Sequence, residues 1–466
     1  MSSPFIWIVL PGMVALILVF LHRYQVISSI LAITLSLTLA GLAWMLEIGE
    51  VITIGSWAFI IQEQMTILGR SFVISNLVLP QIAIFYLSFT FWIVGALVIP
   101  KPPFFTSLSL ASVAVLISAL SVQPILFAAL LLEVAVLIFV LMLTPMGQSV
   151  NRGTLRFLTY QTLGLPFILL AGWFLSGIEL QAGNTQEIVR AAVFLGLGFS
   201  FHLGIFPLHS WIPMLTETAH PYVTSFVITT LLSIGILFPV GFMQRYPSLN
   251  ENINLLEIIR LIGVLMVLVG GIWATFQRNL GRVLGFAMIV EIGRTFLAIS
   301  IPDGDKLLFG LLFPRVISFG VWALCLTKLR AHVEDLKFHT VQGYGRRYWI
   351  AGIGIVAANF SLVGIPILAG FPIYSILWER LAVNGFWISL AAIAGSAGLM
   401  VGGIRALAVL VMGPDELELE EEQEESFFSN MLILMGVSVL FLMGLFPQWF
   451  LPALTSISAN FGAPAP

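Results

Sequence analysis

Charged residues are scarce in this sequence. Only 9% of its 466 residues are charged, whereas 59% are hydrophobic, and the mean hydropathy is +1.04. Such a composition excludes an ordinary soluble domain and is typical of a membrane protein with many spans. The formal net charge of −3 argues against nucleic acid as a partner, so we expect the lipid bilayer to surround most of the chain.

Features that bind cofactors are also missing. The single cysteine, Cys325, lies in an apolar stretch, where no spacing predicts a metal site or a disulfide framework. No GxxxxGK[ST] sequence is present, so direct coupling to ATP is unsupported. We therefore expect no cofactor, no metal and no redox centre in this chain.

The sequence consists largely of long apolar runs. About 20 apolar residues cross a bilayer as a helix, and this rule predicts an all-α membrane protein with fourteen spans and, around 47–76, an extramembranous β-hairpin. The N-terminus has neither a basic region nor a cleavage site, so we interpret it as an uncleaved first span. The predicted helices cover 4–21, 26–46, 77–99, 104–122, 124–143, 156–176, 190–213, 221–242, 257–277, 280–300, 307–328, a broken element at 348–383, 386–411 and 427–450.

Lysine and arginine are distributed unequally between alternate loops. One side of the membrane collects eleven of them and the other side six, which places the first side in the cytoplasm and both termini outside. The last cytoplasmic loop carries the acidic run 415–425. This run is either a solvated loop or a docking site for a basic partner subunit.

Two parts of the sequence share the same order of features. A helix carrying Glu133 is followed by a proline-interrupted stretch with His202, and a helix carrying Glu291 is followed by the interrupted segment 364–374. Broken helices in corresponding positions are typical of internal repeats with an ion site near the middle of the membrane. We predict N-terminal helices at 1–103, repeats at 104–242 and 257–411, and an acidic loop with a last span at 412–466.

Titratable side chains inside these spans are candidates for an ion path. Glu133 lies centrally in an apolar helix, where an acid either exchanges protons or is a protonated structural group. His202 titrates near neutral pH, but a carbonyl freed at the break could also satisfy it. His209 extends a relay or tethers the loop. Glu291 and Arg294 are three residues apart and are expected to pair, while Arg315 either meets Glu291 or supplies the positive charge of the second half.

Five motifs stand out between about 124 and 380. In order they are LLLEVAVL, FHLGIFPLHSWIPMLTETAHPYVTS, QRNLGRVLGFAMIVEIG, QGYGRRYW and GIPILAGFPIY, and the one around Pro207 is the most specific. Together they resemble the signature of one protein family, the antiporter-like proton-translocating membrane subunits of respiratory complex I and of related multisubunit cation/proton antiporters.

The sequence departs from this family at the lysines. The resemblance implies a lysine at His202 and another at Tyr374, and in some members one near Ile234. Asn279 and Gly281 replace an aspartate and a lysine, and Ser318 stands near another lysine position. The only four lysines, 101, 306, 328 and 337, lie in or beside loops, so this is a divergent member without intramembrane lysine.

The resemblance implies a membrane-arm subunit of a complex I type NAD(P)H/quinone oxidoreductase that takes part in proton translocation, in a bacterial-type energy-transducing membrane. The implied path runs through Glu133, His202, His209, Glu291, Arg315 and Tyr374, with other membrane subunits as partners and protons or Na⁺ as the moving ion. Two alternatives stay open: a subunit of a multisubunit cation/proton antiporter or ion-coupled transporter, and a non-conducting structural paralogue.

Overall fold

A computed structural model describes residues 2–54, 57–144, 147, 149–180, 185–246, 254–413 and 426–459. The acidic run 415–425 lies outside these residues. The described chain is predominantly helical. The helices of the first half are α1 (Leu10–Phe20, after a π-helical turn Phe5–Val9), α2 (Gln25–Met45), α3 (Leu79–Gly95), α4 (Phe105–Ser121), α5 (Ala128–Leu143), α6 (Arg152–Leu180), α7 (Thr185–His202), α8 (Trp211–Thr218), α9 (Pro221–Gly235) and α10 (Leu237–Arg245).

The second half continues in the same manner. Its helices are α11 (Leu255–Phe276), α12 (Leu280–Ile299), α13 (Leu308–Arg330), the short α14 (Tyr344–Arg347), α15 (Trp349–Val363), α16 (Gly370–Asn384), α17 (Phe386–Val411), α18 (Phe427–Leu445) and α19 (Leu451–Ala459). In the described residues, eight helical segments are long and apolar enough to cross a membrane. Four shorter apolar helices, of 10–17 residues, accompany them. The chain is an integral membrane protein.

Short strands form where the sequence predicted a single hairpin. There are two antiparallel hairpins, β1 (Val51–Ile54) with β2 (Trp57–Ile60), and β3 (Gln64–Ile67) with β4 (Arg70–Val73). A two-residue strand, β5 (Val122–Gln123), extends the second hairpin beside β4. The Ser3 Oγ donates to the carbonyl of Ile74 over 2.9 Å, which ties the second hairpin to the first helical turn.

Burial identifies the centre of the bundle. In the segment that contains α13, 94% of an apolar stretch of 18 residues is buried inside the protein. The share is 78% in the segment of α9 and α10 and 28–39% in the other six spans. α13 packs against α3, α9, α15 and α18. Polar side chains on α9 and α13 are therefore sealed from lipid, where only protein groups or buried water can satisfy them.

An ion pair holds the connection between α13 and α14. The Lys337 ammonium lies 2.6 Å from Asp335 Oδ2, and the Thr340 hydroxyl donates to Oδ1 over 2.8 Å. The hydrogen bond from Lys337, together with that from Thr340, lowers the pKa of Asp335 to about 2. Because the folded-state pKa is depressed, the pair contributes fully at pH values above the ordinary aspartate pKa of about 4 and is lost as pH falls toward 2.

We therefore expect the Asp335 carboxyl to titrate with a midpoint near 2 in the folded chain. The Lys337→Met variant should move the midpoint up toward about 4, because the principal partner of the carboxylate is gone. Carbon-detected NMR of labelled aspartate in detergent micelles measures both midpoints. Equal midpoints in the two proteins would contradict the ion pair.

Candidate functional site

The first broken helix begins its interruption earlier than the sequence indicated. A helix was predicted over 190–213 with a break at Pro207, but α7 ends at His202 and α8 starts only at Trp211. Gly204 has φ +61°, a left-handed conformation that ends a helix and that L side chains rarely adopt. The predicted break is therefore present but begins before Pro207, and His202 lies at its edge.

His202 is buried, with 2% of its surface exposed. Its carbonyl accepts a hydrogen bond of 3.1 Å from Gln161 Nε2 of α6, and its ring packs near Gly164 of the same helix. Neither ring nitrogen has a partner of good hydrogen-bond geometry among the described residues. An unsatisfied buried nitrogen costs about 1–3 kcal/mol, which is a cost that functional sites tolerate.

Glu133 approaches α6 from another direction. Its Oε1 accepts a hydrogen bond of 2.6 Å from Thr162 Oγ1, while Oε2 is buried and has no partner among the described groups. The residue as a whole is only partly buried. Thr162 and Gln161 are consecutive in a helix, so they point about 100° apart. Glu133 and His202 therefore contact different faces of α6.

The other histidines of this region lie around the break. His209 is half-buried and stacks on Phe206, with ring centroids 5.5 Å apart. His220 Nε2 lies 3.0 Å from the carbonyl oxygen of Pro100, so this ring tethers two loops. Glu217, in the same region, pairs with Arg282 over 3.6 Å at the surface.

The second broken helix repeats the local geometry of the first. α15 ends at Val363, Gly364 has φ +87°, and α16 begins at Gly370. The carbonyl of Leu362, two residues before this glycine, accepts a hydrogen bond from Arg294 Nη1. His202 stands in the same relation to Gly204, and its carbonyl is bonded by Gln161. In both breaks a side chain from another helix satisfies the carbonyl that the interruption frees.

A charge cluster lies beside this second break. Glu291, fully buried on α12, accepts a hydrogen bond from Arg294 Nη1 and one of 2.9 Å from the Tyr374 hydroxyl, both at Oε1. Its Oε2 lies 3.2 Å from Arg315 Nε. Arg315 Nη2 also donates to the Thr295 hydroxyl over 2.6 Å. The structure thus brings Glu291, Arg294, Arg315 and Tyr374 together, from helices α12, α13 and α16.

The cluster carries fixed positive charge. One carboxylate faces two guanidinium groups, and arginine does not deprotonate in proteins. The Arg294 guanidinium also lies over the Tyr374 ring, 4.0 Å from its centroid. Tyr374 occupies the position where the resemblance implies a lysine, and here it donates a hydrogen bond to the carboxylate instead. Only the Glu291 carboxyl and the Tyr374 phenol can exchange a proton within this group.

A seam of hydroxyls connects α9 with the cluster, and the sequence interpretation missed it. The hydroxyls of Ser88, Thr229 and Ser233 are buried without a partner in the described part of the chain. They line a cavity of about 20 Å³, and Ser233 also borders a second one of about 10 Å³ that reaches Thr295 and Arg315. Cavities of about this size hold single waters when polar partners surround them. Thr229 and Ser233 are four residues apart and so lie on one face of the helix, and this spacing was the feature of the sequence that could have indicated the seam.

No metal-binding group of three or more His, Cys, Asp or Glu side chains occurs in the described ranges. Cys325 is a buried free thiol. The buried polar groups instead belong to two interrupted helices, an acid-bearing helix before each, and a central seam. Buried polar groups at discontinuous helices are typical of ion sites in membrane transport proteins.

Comparison with known proteins agrees with this class. Residues 174–399 match the transmembrane family described as NADH:quinone oxidoreductase/Mrp antiporter. This match, over somewhat less than half of the chain, confirms the resemblance predicted from the motifs.

Among its curated relatives are subunits N of NADH-quinone oxidoreductases. Subunit N 2 of Thermodesulfovibrio yellowstonii is 26% identical over 363 residues, covering 67% of this chain and 77% of that protein. Subunit N of Hydrogenovibrio crunogenus is 25% identical, covering 58% and 57%, and that of Rickettsia typhi is 28% identical, covering 41% and 43%. The chain thus aligns with about half the length of the latter two.

Solved structures share the fold over nearly the whole chain. A chain of the Mrp complex from Dietzia sp. superposes with a TM-score of 0.80 at 15% identity, covering 100% of this chain and 98% of that one. A chain of respiratory complex I from Thermus thermophilus gives 0.74 at 19% identity, with 98% of both chains covered. At these identities the likeness concerns the fold.

Proposed function

We propose that this chain is a membrane-arm subunit of a complex I type NAD(P)H:quinone oxidoreductase and takes part in proton translocation. The names of its curated relatives and the fold shared with complex I support this function. The main observation in favour of proton translocation is the buried His202 ring at the edge of an interrupted helix. Its two nitrogens have no partner of good hydrogen-bond geometry in the described chain. Electron transfer and its cofactors would belong to other subunits, and the neighbouring membrane subunits are the expected partners.

The proposed proton path enters at Glu133 and passes around α6 to His202, with His209 on the far side of the break. Thr162 holds one oxygen of Glu133 and leaves the other open, and an imidazole ring can both accept and release a proton. Buried groups of this kind translocate protons when water or hydroxyls bridge them.

From the first half, the hydroxyl seam at Thr229 and Ser233 leads toward Arg315, Glu291 and Tyr374. Two guanidiniums hold the Glu291 carboxylate, so this end of the path acts mainly through its fixed charge. Arginine at a constriction excludes cations and protons. We therefore place the obligatory proton exchange in the first half and assign an electrostatic role to the second.

The topology that fits this path has fourteen crossings in two repeats, 104–242 and 257–411. The eight long spans and four shorter apolar helices account for twelve. The broken pair α7–α8 and the almost fully buried α12 account for two more. The excess of Lys and Arg on one side then puts both termini outside, and the equivalent bonding of the His202 and Leu362 carbonyls supports the repeat.

The path is tested by proton uptake into vesicles that contain the purified native complex. Glu133→Gln keeps the acceptor for Thr162 but removes the acid, and His202→Ala removes the ring. We expect each variant to slow the initial rate at least about tenfold, or about 1.4 kcal/mol in barrier. The matched controls are Glu257→Gln and His339→Ala, at an exposed acid and an exposed histidine away from the path, and they should pump like the parent.

The same preparation separates the alternatives. The higher TM-score with the Mrp complex chain favours an antiporter subunit as the second candidate. Such a subunit would copurify without flavin or iron–sulfur partners and would move Na⁺ in response to a pH gradient. A non-conducting paralogue would leave uptake unchanged in both Glu133→Gln and His202→Ala, and that result would overturn the path.

A further inference from the structure

An apolar cavity of about 370 Å³ lies between α7, α10 and α11, apart from the proposed path. Its walls include Val193, Leu197, Met243, Ile258, Ile262 and Phe296. Ser200 is the one polar side chain among its described lining residues, and its hydroxyl already donates to the Gly196 carbonyl over 2.6 Å. The volume falls within the roughly 300–1,000 Å³ of ligand sites, and the walls offer an occupant only apolar contacts.

Positive charge lies at one end of this cavity. Arg190 precedes Val193 by three residues and Leu197 by seven, so it continues the cavity-lining face of α7 toward the start of that helix. Arg245 lies in the last turn of α10, whose Pro239 and Met243 also line the cavity. Both arginines are exposed, and neither forms an ion pair within the described chain, although Glu187 and Glu257 lie on the first turns of α7 and α11.

The two arginines are at the same face of the membrane. If α7 and α8 together make one broken crossing and α9 and α10 cross back, the start of α7 and the end of α10 lie on one side. An amphiphile in this cavity would therefore have its apolar part beside the helices and its head at a pair of guanidiniums. Arginine binds phosphate through paired, charge-assisted hydrogen bonds.

We propose that this cavity binds an acyl chain of an anionic phospholipid, whose phosphate is held by Arg190 and Arg245. A transmembrane helix of a partner fits less well, because a helix is about 10 Å across and docks through stretches of small residues. The walls here are mainly branched aliphatic side chains, with Gly196 and Ala192 as small exceptions.

The bound lipid would brace the first broken helix. Phe199, Ser200 and Ile205 line the cavity on either side of His202 along the chain, and Phe296 belongs to the helix that carries Glu291. One acyl chain would thus contact both halves of the protein. The binding itself does not depend on proton translocation.

Native mass spectrometry of the full chain tests this site, with palmitoyl-oleoyl phosphatidylglycerol and phosphatidylcholine offered in equal amounts. Gly196→Trp fills the cavity, because a Cβ at Gly196 has no atom within 4 Å. We expect it to reduce bound phosphatidylglycerol at least tenfold. Arg190→Gln should leave lipid bound but abolish the preference for phosphatidylglycerol over phosphatidylcholine.

Two control variants separate the site from general effects. Gly41 in α2 also has open space at its Cβ, and Arg152 is an exposed arginine in the first turn of α6. Gly41→Trp and Arg152→Gln should retain the lipid and the preference of the parent. If Gly196→Trp folds poorly, Ile258→Trp fills the cavity from α11.

Equal phosphatidylglycerol in the parent and in the folded cavity-filling variant would overturn the proposal. So would a crosslink from Val193→Cys or Ile258→Cys to another subunit of the native complex, because a partner helix would then occupy the cavity. An unchanged lipid preference in Arg190→Gln would remove the assigned phosphate contact.

Discussion

Glu291→Gln is expected to destabilise the protein by about 3–5 kcal/mol, the usual cost of removing one partner of a buried ion pair. The substitution leaves Arg294 and Arg315 without the carboxylate that both now contact, while all three side chains are at most 3% exposed. Uncompensated charge in an apolar interior is more costly than the lost hydrogen bonds alone. Unfolding by titration with sodium dodecyl sulfate in mixed micelles measures the difference.

A surface pair provides the comparison. Glu217 and Arg282 lie 3.6 Å apart with 32% and 42% of their side chains exposed, so Glu217→Gln should cost less than about 1 kcal/mol. In the double variant Glu291→Gln, Arg315→Gln, the loss should be smaller than the sum of the single losses, because the second change removes one of the unpaired charges. Additive losses, or a Glu291→Gln protein as stable as the Glu217→Gln protein, would contradict a shared buried network.

Part of this network was predictable from the sequence. Three-residue spacing on a helix places Glu291 beside Arg294, and that pair forms. The contacts of Arg315 and Tyr374 with Glu291 join residues 24 and 83 positions apart. Local periodicity carries no information about such distances, and the sequence left open whether Arg315 meets Glu291 or acts alone.

The first half shows where residue patterns fail. The sequence placed Glu133 and His202 in one path but did not show that they touch different faces of α6, through Thr162 and Gly164. The seam at Thr229 and Ser233 was not anticipated, because single hydroxyls scarcely change the hydropathy of an apolar helix. Which face of a helix meets its neighbour is decided by packing in three dimensions, and nearly every residue of α9 is buried, so burial alone does not distinguish the face that carries the seam.

Helix interruptions depend on backbone conformation as well as on residue type. Pro207 marked the first break, but the left-handed residue that ends α7 is Gly204. In the second break, Pro366 and Pro372 drew attention to the segment, and the helix ends at Gly364. Glycine is common in membrane helices, so its presence alone did not identify the residue that turns the chain.

Gly364→Ala is the second substitution with a large expected effect. At φ +87° an L residue is strained by about 1–2 kcal/mol. The added Cβ would also lie 2.9 Å from Tyr374 Cδ2 and 2.9 Å from Trp378 Cη2, and such overpacking typically costs about 1–3 kcal/mol. We expect a total loss of about 2–5 kcal/mol in the same unfolding titration, because the two costs arise from separate causes.

Gly241→Ala is the matched control. Gly241 lies inside α10, and its Cβ would meet only Ile125 Cδ1, at an ordinary 3.5 Å, so alanine should be neutral or stabilise the helix by up to about 1 kcal/mol. A large loss at Gly364 beside none at Gly241 would show that the break is set by the left-handed backbone that presents the Leu362 carbonyl to Arg294. If both variants were as stable as the parent, Gly364 would not hold that conformation, and the equivalence of the two breaks would have to be abandoned.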